Sequence, residues 1–189
     1  MSYDIFCYKS ITGIPDQDEA DTVIEADNIK LTKIERSTTA KFAIVKALTQ
    51  FNPRLETFDF DYDEIARLTT TTIEEAKNRF DHIELNTPDG DLAIQMTVYD
   101  NHVYINVPYW YKGEQARELF QYLISYIKII SETAGYFVFD PQIGEVFDPA
   151  ENDFDGLNKY LSVSEHIEEM IKGQDSKQNQ FKKPWWKFW

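Results

Sequence analysis

Histidine and cysteine, the residue types most often found in metal sites and nucleophilic catalysis, are sparse and widely spaced in this chain. The three histidines, His82, His102 and His166, are separated by 20 and 64 residues, and no His-x-x-x-His or Cys-x-x-Cys pattern occurs. The spacing therefore gives no support for a zinc site. His102 falls beside a turn on the polar side of a predicted strand, where we expect an exposed histidine without a functional role. The single cysteine, Cys7, lies in an apolar run and is expected to be a small buried side chain.

Signatures of the common enzyme classes are missing from the sequence. It contains no Gly-x-Ser-x-Gly nucleophile elbow, no phosphate-binding glycine loop and no dinucleotide-binding fingerprint. With only seven glycines in the whole chain, glycine-rich loops are largely excluded. We therefore expect no cofactor and no metal ion, and we favour a protein that is not an enzyme.

Carboxylates are abundant, and they raise two further possibilities. Residues 15–28 contain six acids, but a calcium loop beginning at Asp16 would place Ala20 and Asp27 where an oxygen ligand and a glutamate are needed. A solvated acidic loop or a short helix is the better interpretation. Acid–base hydrolysis needs two carboxyl groups at a fixed separation in a cleft, which a sequence does not reveal. A hydrolase with an unrecognised carboxylate site stays open as an alternative.

Two segments have the residue types of a protein-binding surface. One is a set of carboxylates interleaved with aromatic residues over 58–64, and the other is a run of three aromatic residues between a predicted strand and a helix. Tyrosine and tryptophan bury large areas and keep a polar group, so they are frequent in binding hot spots. The three aromatics are also suited to filling the core where strand meets helix. The predicted partner-binding residues are Asp59, Asp61, Asp63, Glu64, Tyr109, Trp110 and Tyr111.

The C-terminal tail has the opposite charge to the rest of the chain. From Gly173 onward there are four lysines and one aspartate, a charge of +3, so a total of −14 leaves −17 on residues 1–172. We predict a flexible tail over 173–189, which makes weak contact with a membrane interface, fills an apolar groove on a partner or folds back onto the acidic body. A peripheral membrane or adaptor protein localised by this tail is the second hypothesis. The tail motif comprises Lys182, Lys183, Trp185, Trp186, Lys187, Phe188 and Trp189.

The charge and the apolar pattern together restrict the partners and the location. A strongly acidic body disfavours free nucleic acid, which needs a cationic surface, and favours a basic protein partner. Acidity that serves only solubility is the alternative explanation. No apolar run approaches the roughly 18 residues of a membrane span, and the N-terminus has no signal-peptide pattern. With one cysteine in the chain, these features predict a cytoplasmic protein.

The apolar periodicity predicts a single α+β domain over 1–172. Tyr3–Tyr8 reads as a first strand, and residues 92–98 and 103–107 alternate around a tight turn at Asp100-Asn101. Two further strands are expected at 136–139 and 145–147. These strands predict an antiparallel sheet.

Helical spacing predicts the elements that cover the sheet. A helix over 37–51 is expected to begin with Ser37 as its N-cap and to bury Ala40, Ile44, Leu48 and Phe51. A longer helix over 113–134 should end at Gly135. Its predicted apolar stripe comprises Ala116, Leu119, Phe120, Leu123, Ile124, Ile127 and Ile130. We expect both helices to pack mainly on one face of the sheet, and short helices near 154–161 and 164–171 to complete the domain.

Four short motifs add a resemblance to these patterns: Met1-Ser2-Tyr3-Asp4, Asn52-Pro53-Arg54-Leu55-Glu56, Pro108-Tyr109-Trp110 and Phe139-Asp140-Pro141-Gln142. In combination they resemble a group of small acidic bacterial proteins, some of which are similar to the immunity proteins encoded beside interbacterial toxins. The resemblance covers most of residues 1–150. It implies a non-enzymatic cytoplasmic protein that blocks a cognate toxin by tight binding, with the toxin's active site occluded. It carries over no established binding residues.

Overall fold

The computed structural model describes residues 2–13, 15–26, 38–151 and 156–165. Within these ranges the chain forms one α+β body built on a seven-stranded antiparallel sheet, which confirms the predicted fold class. The strands are β1 Ser2–Tyr8, β2 Glu56–Thr57, β3 Ile83–Asn86, β4 Gln95–Val98, β5 His102–Pro108, β6 Phe137–Asp140 and β7 Glu145–Phe147. The helices are α1 Gln17–Ala26, α2 Thr38–Phe51, α3 Tyr62–Thr69, α4 Ile73–Arg79, α5 Gly113–Ala134 and α6, which covers 156–165.

The first strand lies near the middle of the sheet, whose order is β2-β3-β4-β5-β1-β6-β7. In β1, Asp4 is opposite Asn106 and Phe6 is opposite Tyr104 on the neighbouring strand β5. Alternate residues of a strand point to opposite faces. Ile5 is therefore buried in the main core, whereas Asp4 and Phe6 point to the second face of the sheet.

The main core lies between the first face of the sheet and the two long helices. The apolar stripe of α5 is buried over six of its seven predicted positions, and Ile124 is half-buried. Tyr126, a residue outside the predicted stripe, is fully buried. Gly135 ends the helix in the left-handed conformation, with φ 68°, and its N–H donates to Ser131 O at 2.7 Å. The predicted boundaries of this helix are confirmed.

The buried stripe of α2 differs from the prediction at both ends, because Ala40 is only half-buried. Ile44 and Leu48 are fully buried, but Phe51 is 48% exposed, so its predicted burial was wrong. The stripe instead extends toward the start of the helix to Lys41, which is 1% exposed. Lysine can bury its aliphatic stem when its ammonium group meets anions. The predicted N-cap, Ser37, lies outside the described residues.

The second face of the sheet has its own smaller apolar cluster. Ala20 and Val23 of α1 pack against Tyr8 and Phe139 there. The acidic segment over 15–28 thus contains a short helix, one of the two alternatives expected from its sequence, and its apolar residues face the sheet. On the β3 side, α3 and α4 pack against each other.

The C-terminal helix fastens the end of β5. The sequence predicted two short helices with a break near residues 162–163. Instead, α6 runs without interruption over 156–165, so the prediction of a break was wrong. Residues 166–171 lie outside the described part of the chain. Tyr160 donates from its hydroxyl to Pro108 O at 2.6 Å and accepts from Tyr111 N at 3.2 Å. Ser164 Oγ donates to Tyr109 O at 2.7 Å. These bonds hold α6 against the backbone at the end of β5.

Candidate functional site

A cleft of about 890 Å³ crosses the second face of the sheet. Its floor is formed by β1, β5 and the β4–β5 turn, its walls include Ile24 of α1 and Arg79 of α4, and Gln142 closes the end next to β6. Binding sites for small groups combine such concavity with a few converging polar atoms. The polar and aromatic side chains of this floor are therefore the first candidates for function.

Aromatic rings form a band along the floor. Tyr99 stacks on His102 with ring centroids 4.4 Å apart, and Phe6 stacks on Tyr104 at 5.1 Å. His102 lies 6.4 Å from Phe6, which joins the two pairs. At the far side His82 lies 5.1 Å from Tyr99. Such offset and tilted contacts are the favoured arrangements of aromatic pairs, and they join the five rings into one band.

The β4–β5 turn places polar groups beneath this band. The turn at Asp100 and Asn101 was predicted correctly, but both side chains are buried. Asn101 Nδ2 donates to Val23 O of α1 at 3.0 Å, and Asn101 Oδ1 lies 3.0 Å from His102 Nδ1. Because the amide oxygen can only accept, this contact requires a proton on Nδ1. The turn thus ties the helix wall of the cleft to its floor.

His102 was expected to be exposed, and that expectation was wrong. Its side chain is 3% exposed and lies within the aromatic band. The reason is the turn beside it, which is covered by α1 and is not at the surface. Burial lowers the pKa of His102 to about 4, so the ring is neutral at pH 7 and contributes no positive charge to the cleft.

A buried ionic cluster lies at the same end of the sheet. Lys41 Nζ lies 3.0 Å from Asp100 Oδ1 and 3.3 Å from Asp81 Oδ1, and it donates to Asp81 O. Asp100 Oδ1 has no directional hydrogen bond within the described residues, so its contact with Lys41 is ionic. This cluster connects α2, on the first face, to the edge of the cleft on the second.

Asp4 is the polar centre of the cleft floor. Its Oδ1 accepts from Tyr104 OH at 2.7 Å, from Asn106 Nδ2 at 3.0 Å and from Ser2 Oγ at 2.9 Å. The backbone N–H of Asp4 donates to Gln142 Oε1 at 3.3 Å. Three donors on one oxygen fix the carboxylate in place. In the described part of the chain, Oδ2 has no hydrogen bond and Asp4 has no ion pair.

None of the four predicted acidic residues is among those that line the cleft, but their segment contacts its edge through Phe60. All four are exposed, and two of them have local roles: Asp61 accepts from Glu64 N at 3.0 Å as the N-cap of α3, and Glu64 pairs with Arg67. Asp59 precedes these two residues, and Asp63 lies between them. Phe60, within the same segment, lies 5.0 Å from the ring of His82. The acidic segment therefore forms a rim next to the aromatic band.

The predicted aromatic triplet lies elsewhere. Tyr109 stacks on Tyr160 at 5.2 Å, and Tyr111 is buried with its hydroxyl accepting from Ala93 N at 2.7 Å. Both therefore fill the core at the strand–helix junction, the structural alternative foreseen from the sequence. Trp110 is 69% exposed. It follows the far end of β5, about 20 Å along the strand from His102, so the triplet and the acidic rim do not form one compact patch.

The tail motif, Lys182 to Trp189, lies outside the described residues. Within the part that is described, no helix is long and apolar enough to cross a membrane. The same part contains no group of three or more histidine, cysteine or acidic side chains arranged to hold a metal ion.

A second cavity, of about 600 Å³, lies between the end of α2, the β3–β4 turn and α5. Phe51 and Tyr122, both partly exposed, lie on its walls. Arg54 and Asp91 at its edge are already paired at 3.0 Å. In the cleft on the second face, Asp4 is held by three donors and has no ion pair among the described residues. We therefore take the larger cleft as the candidate site.

Scans of family models, curated proteins and solved structures find no match to this chain. The candidate site is therefore inferred from its geometry. Its central residues, Asp4, His102 and Tyr104, were not among the predicted site residues. The signal that could have found them is the alternation of β1 and β5, which places aromatic and polar residues on the side opposite the core.

Proposed function

We propose that this chain is a non-enzymatic binding protein of the immunity type, which neutralises a cognate basic bacterial toxin by covering the toxin's active site. The observation that carries the proposal is the aromatic cleft of about 890 Å³ beside an exposed acidic rim. Interfaces are rich in aromatic residues at their centre and polar at their edge. The cleft and the rim have this arrangement.

The charge of the chain supports a basic partner. Residues 1–172 carry −17, and opposite fields accelerate encounter and discriminate against wrong partners. The rim contributes Asp59 and Asp63, which form no hydrogen bond or ion pair within the described residues and so are available to a partner. Asp61 and Glu64 contribute charge while also stabilising α3.

The same proposal puts the protein in the cytoplasm, where an immunity protein meets a toxin that enters or is made in the cell. Cys7 is compatible with that location: the thiol is free and buried, and burial raises its pKa above the usual range. A thiol in this state is a poor nucleophile and a stable part of the core.

The direct test is protection from toxicity. Each protein encoded beside this gene is expressed in a host bacterium, alone and together with the chain. We expect one of them to stop growth alone and to be tolerated in the presence of the chain. If none is toxic, or if toxicity persists despite normal expression of the chain, the proposal is wrong.

Charge variants then test whether the rim takes part. The double variant Asp59→Asn/Asp63→Asn should weaken toxin binding about tenfold, chiefly through a slower association rate at low salt. The matched control is Glu118→Gln/Glu132→Gln, which removes the same charge from the exposed side of α5, the helix that covers the opposite face. Equal effects of the two pairs would mean that only net charge matters, and not the rim.

A further inference from the structure

The ionic groups of the cleft restrict the chemistry of a ligand that it can bind. Its lining includes three carboxylates, from Asp4, Asp81 and Asp100, and one guanidinium, from Arg79. Lys41 pairs with both Asp81 and Asp100 and supplies one positive charge to these two carboxylates. Asp4 is then the carboxylate at the floor whose charge is balanced by no cation among the described residues.

One of the two carboxylate oxygens of Asp4, Oδ2, is available to a ligand. Its Oδ1 has three donors, so this oxygen has little capacity for a fourth. A ligand that approaches from the cleft therefore meets Oδ2. Because the carboxylate is already held by neighbouring strands, little conformational entropy is lost when a ligand binds to it. A positively charged donor makes the strongest bond to such an oxygen.

The rings next to Asp4 favour a particular kind of cation. Tyr104 donates to the same carboxylate and stacks on Phe6, and both rings line the cleft. A cation bound to Oδ2 would lie beside these two rings, and the face of an aromatic ring attracts a cation that comes within about 6 Å of its centroid. A guanidinium is planar and weakly hydrated, so it stacks on aromatic rings more readily than an ammonium group does.

Gln142 completes the arrangement at the end of the cleft. Its side-chain oxygen accepts from Asp4 N at 3.3 Å, and its backbone N–H donates to Asp140 Oδ1 at 2.9 Å. Asp140 is fully buried, which anchors this turn to the core. A carbonyl oxygen has two lone pairs, so Gln142 Oε1 can accept a further N–H from a group bound to Asp4.

We infer that the cleft receives the guanidinium of an arginine side chain from the bound protein partner, with Asp4 Oδ2 as its anion and Tyr104 as its stacking surface. This inference rests on the proposed function, because it names the group through which the basic partner is recognised. Arg79 stands at the opposite wall, over the ring of Phe80 at 5.9 Å. It provides a repulsive contact that disfavours a second cation at that wall.

The test uses the full chain and a small probe in place of the partner. The ¹H–¹⁵N spectrum is titrated with N-acetyl-arginine amide, N-acetyl-lysine amide and the neutral isostere N-acetyl-citrulline amide. We expect saturable shifts at Asp4, Tyr104 and Gln142 with the arginine probe, at a dissociation constant on the order of several millimolar. The lysine probe should bind at least threefold more weakly, and the citrulline probe should not saturate.

Variants separate the site from general charge. Asp4→Asn keeps an oxygen for Tyr104 and Asn106 and replaces Oδ2 by a donor, so the arginine probe should bind at least fivefold more weakly. Phe6→Leu, which removes a stacked ring, should also weaken it. Glu132→Gln is the charge-matched control on α5 and should leave the shifts unchanged. Thermal unfolding of each variant confirms that the fold persists.

The outcomes distinguish this inference from the proposed function. No saturable shift in the cleft, equal binding of lysine and arginine probes, or equal effects of Asp4→Asn and Glu132→Gln would each overturn the guanidinium site, even if the chain protects against a toxin. Conversely, arginine binding at Asp4 with no protective partner would support the guanidinium site and contradict the immunity function.

Discussion

Lys41 of α2 and Asp100 of the β4–β5 turn form a buried ion pair, with Nζ and Oδ1 3.0 Å apart and the side chains 1% and 8% exposed. The pair joins the helical layer on one face of the sheet to the turn that shapes the cleft on the other. The shape of the candidate site therefore depends on this ion pair, which joins the two faces at the end of the sheet.

Replacement of Lys41 by methionine tests this connection. Loss of the ammonium leaves Asp100 buried without a counter-charge, so we expect the free energy of unfolding to fall by about 3 kcal/mol. Lys46→Met, an exposed position on the same helix, should change it by less than about 0.5 kcal/mol. Urea denaturation measures both.

The double variant Lys41→Met/Asp100→Asn provides a second check of the same pair. Because it removes the uncompensated charge, we expect it to recover part of the stability lost in Lys41→Met. If the unfolding free energy lost in the double variant equals or exceeds the sum of the losses in the two single variants, the pair is not coupled as the structure indicates.

His102 should make stability fall in mild acid. Its pKa is about 4 when folded, against a usual value of 6.5, so the folded state binds fewer protons between these values. The stability that depends on the neutral His102 ring is fully present above pH 6.5 and is lost as the pH falls through about 4. The difference corresponds to about 3 kcal/mol.

The variant His102→Phe keeps a ring between Tyr99 and Phe6 but cannot titrate. Its loss of the Asn101 contact lowers stability by a similar amount at every pH. Relative to the wild type, we therefore expect the variant to lose less stability between pH 7.5 and pH 4 in urea unfolding. Parallel pH curves for the two proteins would contradict the assigned burial of His102.

The aromatic triplet should divide into two kinds of residue. Tyr111→Phe removes the hydroxyl that accepts from Ala93 N and should cost about 1–2 kcal/mol of unfolding free energy. Trp110→Ala, at a side chain that is 69% exposed, should change it by less than about 0.5 kcal/mol. A larger loss for Trp110 than for Tyr111 would contradict the packing of this junction.

Truncation after residue 172 tests the predicted division into a body and a tail. The bonds that hold α6, from Tyr160 and Ser164 to the 108–109 backbone, precede residue 166. We therefore expect the truncated chain to unfold within about 0.5 kcal/mol of the full chain. A fluorescent fusion of each form checks the alternative, since localisation lost on truncation would favour the tail hypothesis.

The sequence predicted those elements whose apolar pattern is regular. The stripe of α5, its stop at Gly135 and the alternation around the Asp100 turn all correspond to local rules. Lys41 was missed because its burial depends on anions contributed by residues 40 and 59 positions away, at Asp81 and Asp100. A local pattern carries no information about such a distant partner.

The candidate site was harder to predict than the fold for a related reason. Asp4, Tyr104 and Gln142 come from three separate parts of the chain, and only the pairing of β1 with β5 and β6 brings them together. The acidic rim was found because its residues are consecutive. His102 was misjudged because the covering helix, α1, contacts the turn through Asn101 and Val23, a tertiary contact.

Footprinting of the complex with hydroxyl radicals tests the central claim, that the cleft is the partner-binding surface. Side-chain oxidation is compared between the free chain and the chain bound to the toxin identified by protection. We expect oxidation of Tyr104 and His82 to fall on binding, while the exposed Trp110, about 20 Å away along β5, stays equally reactive. Protection of Trp110 with Tyr104 unchanged would contradict the account and move the interface to the aromatic triplet.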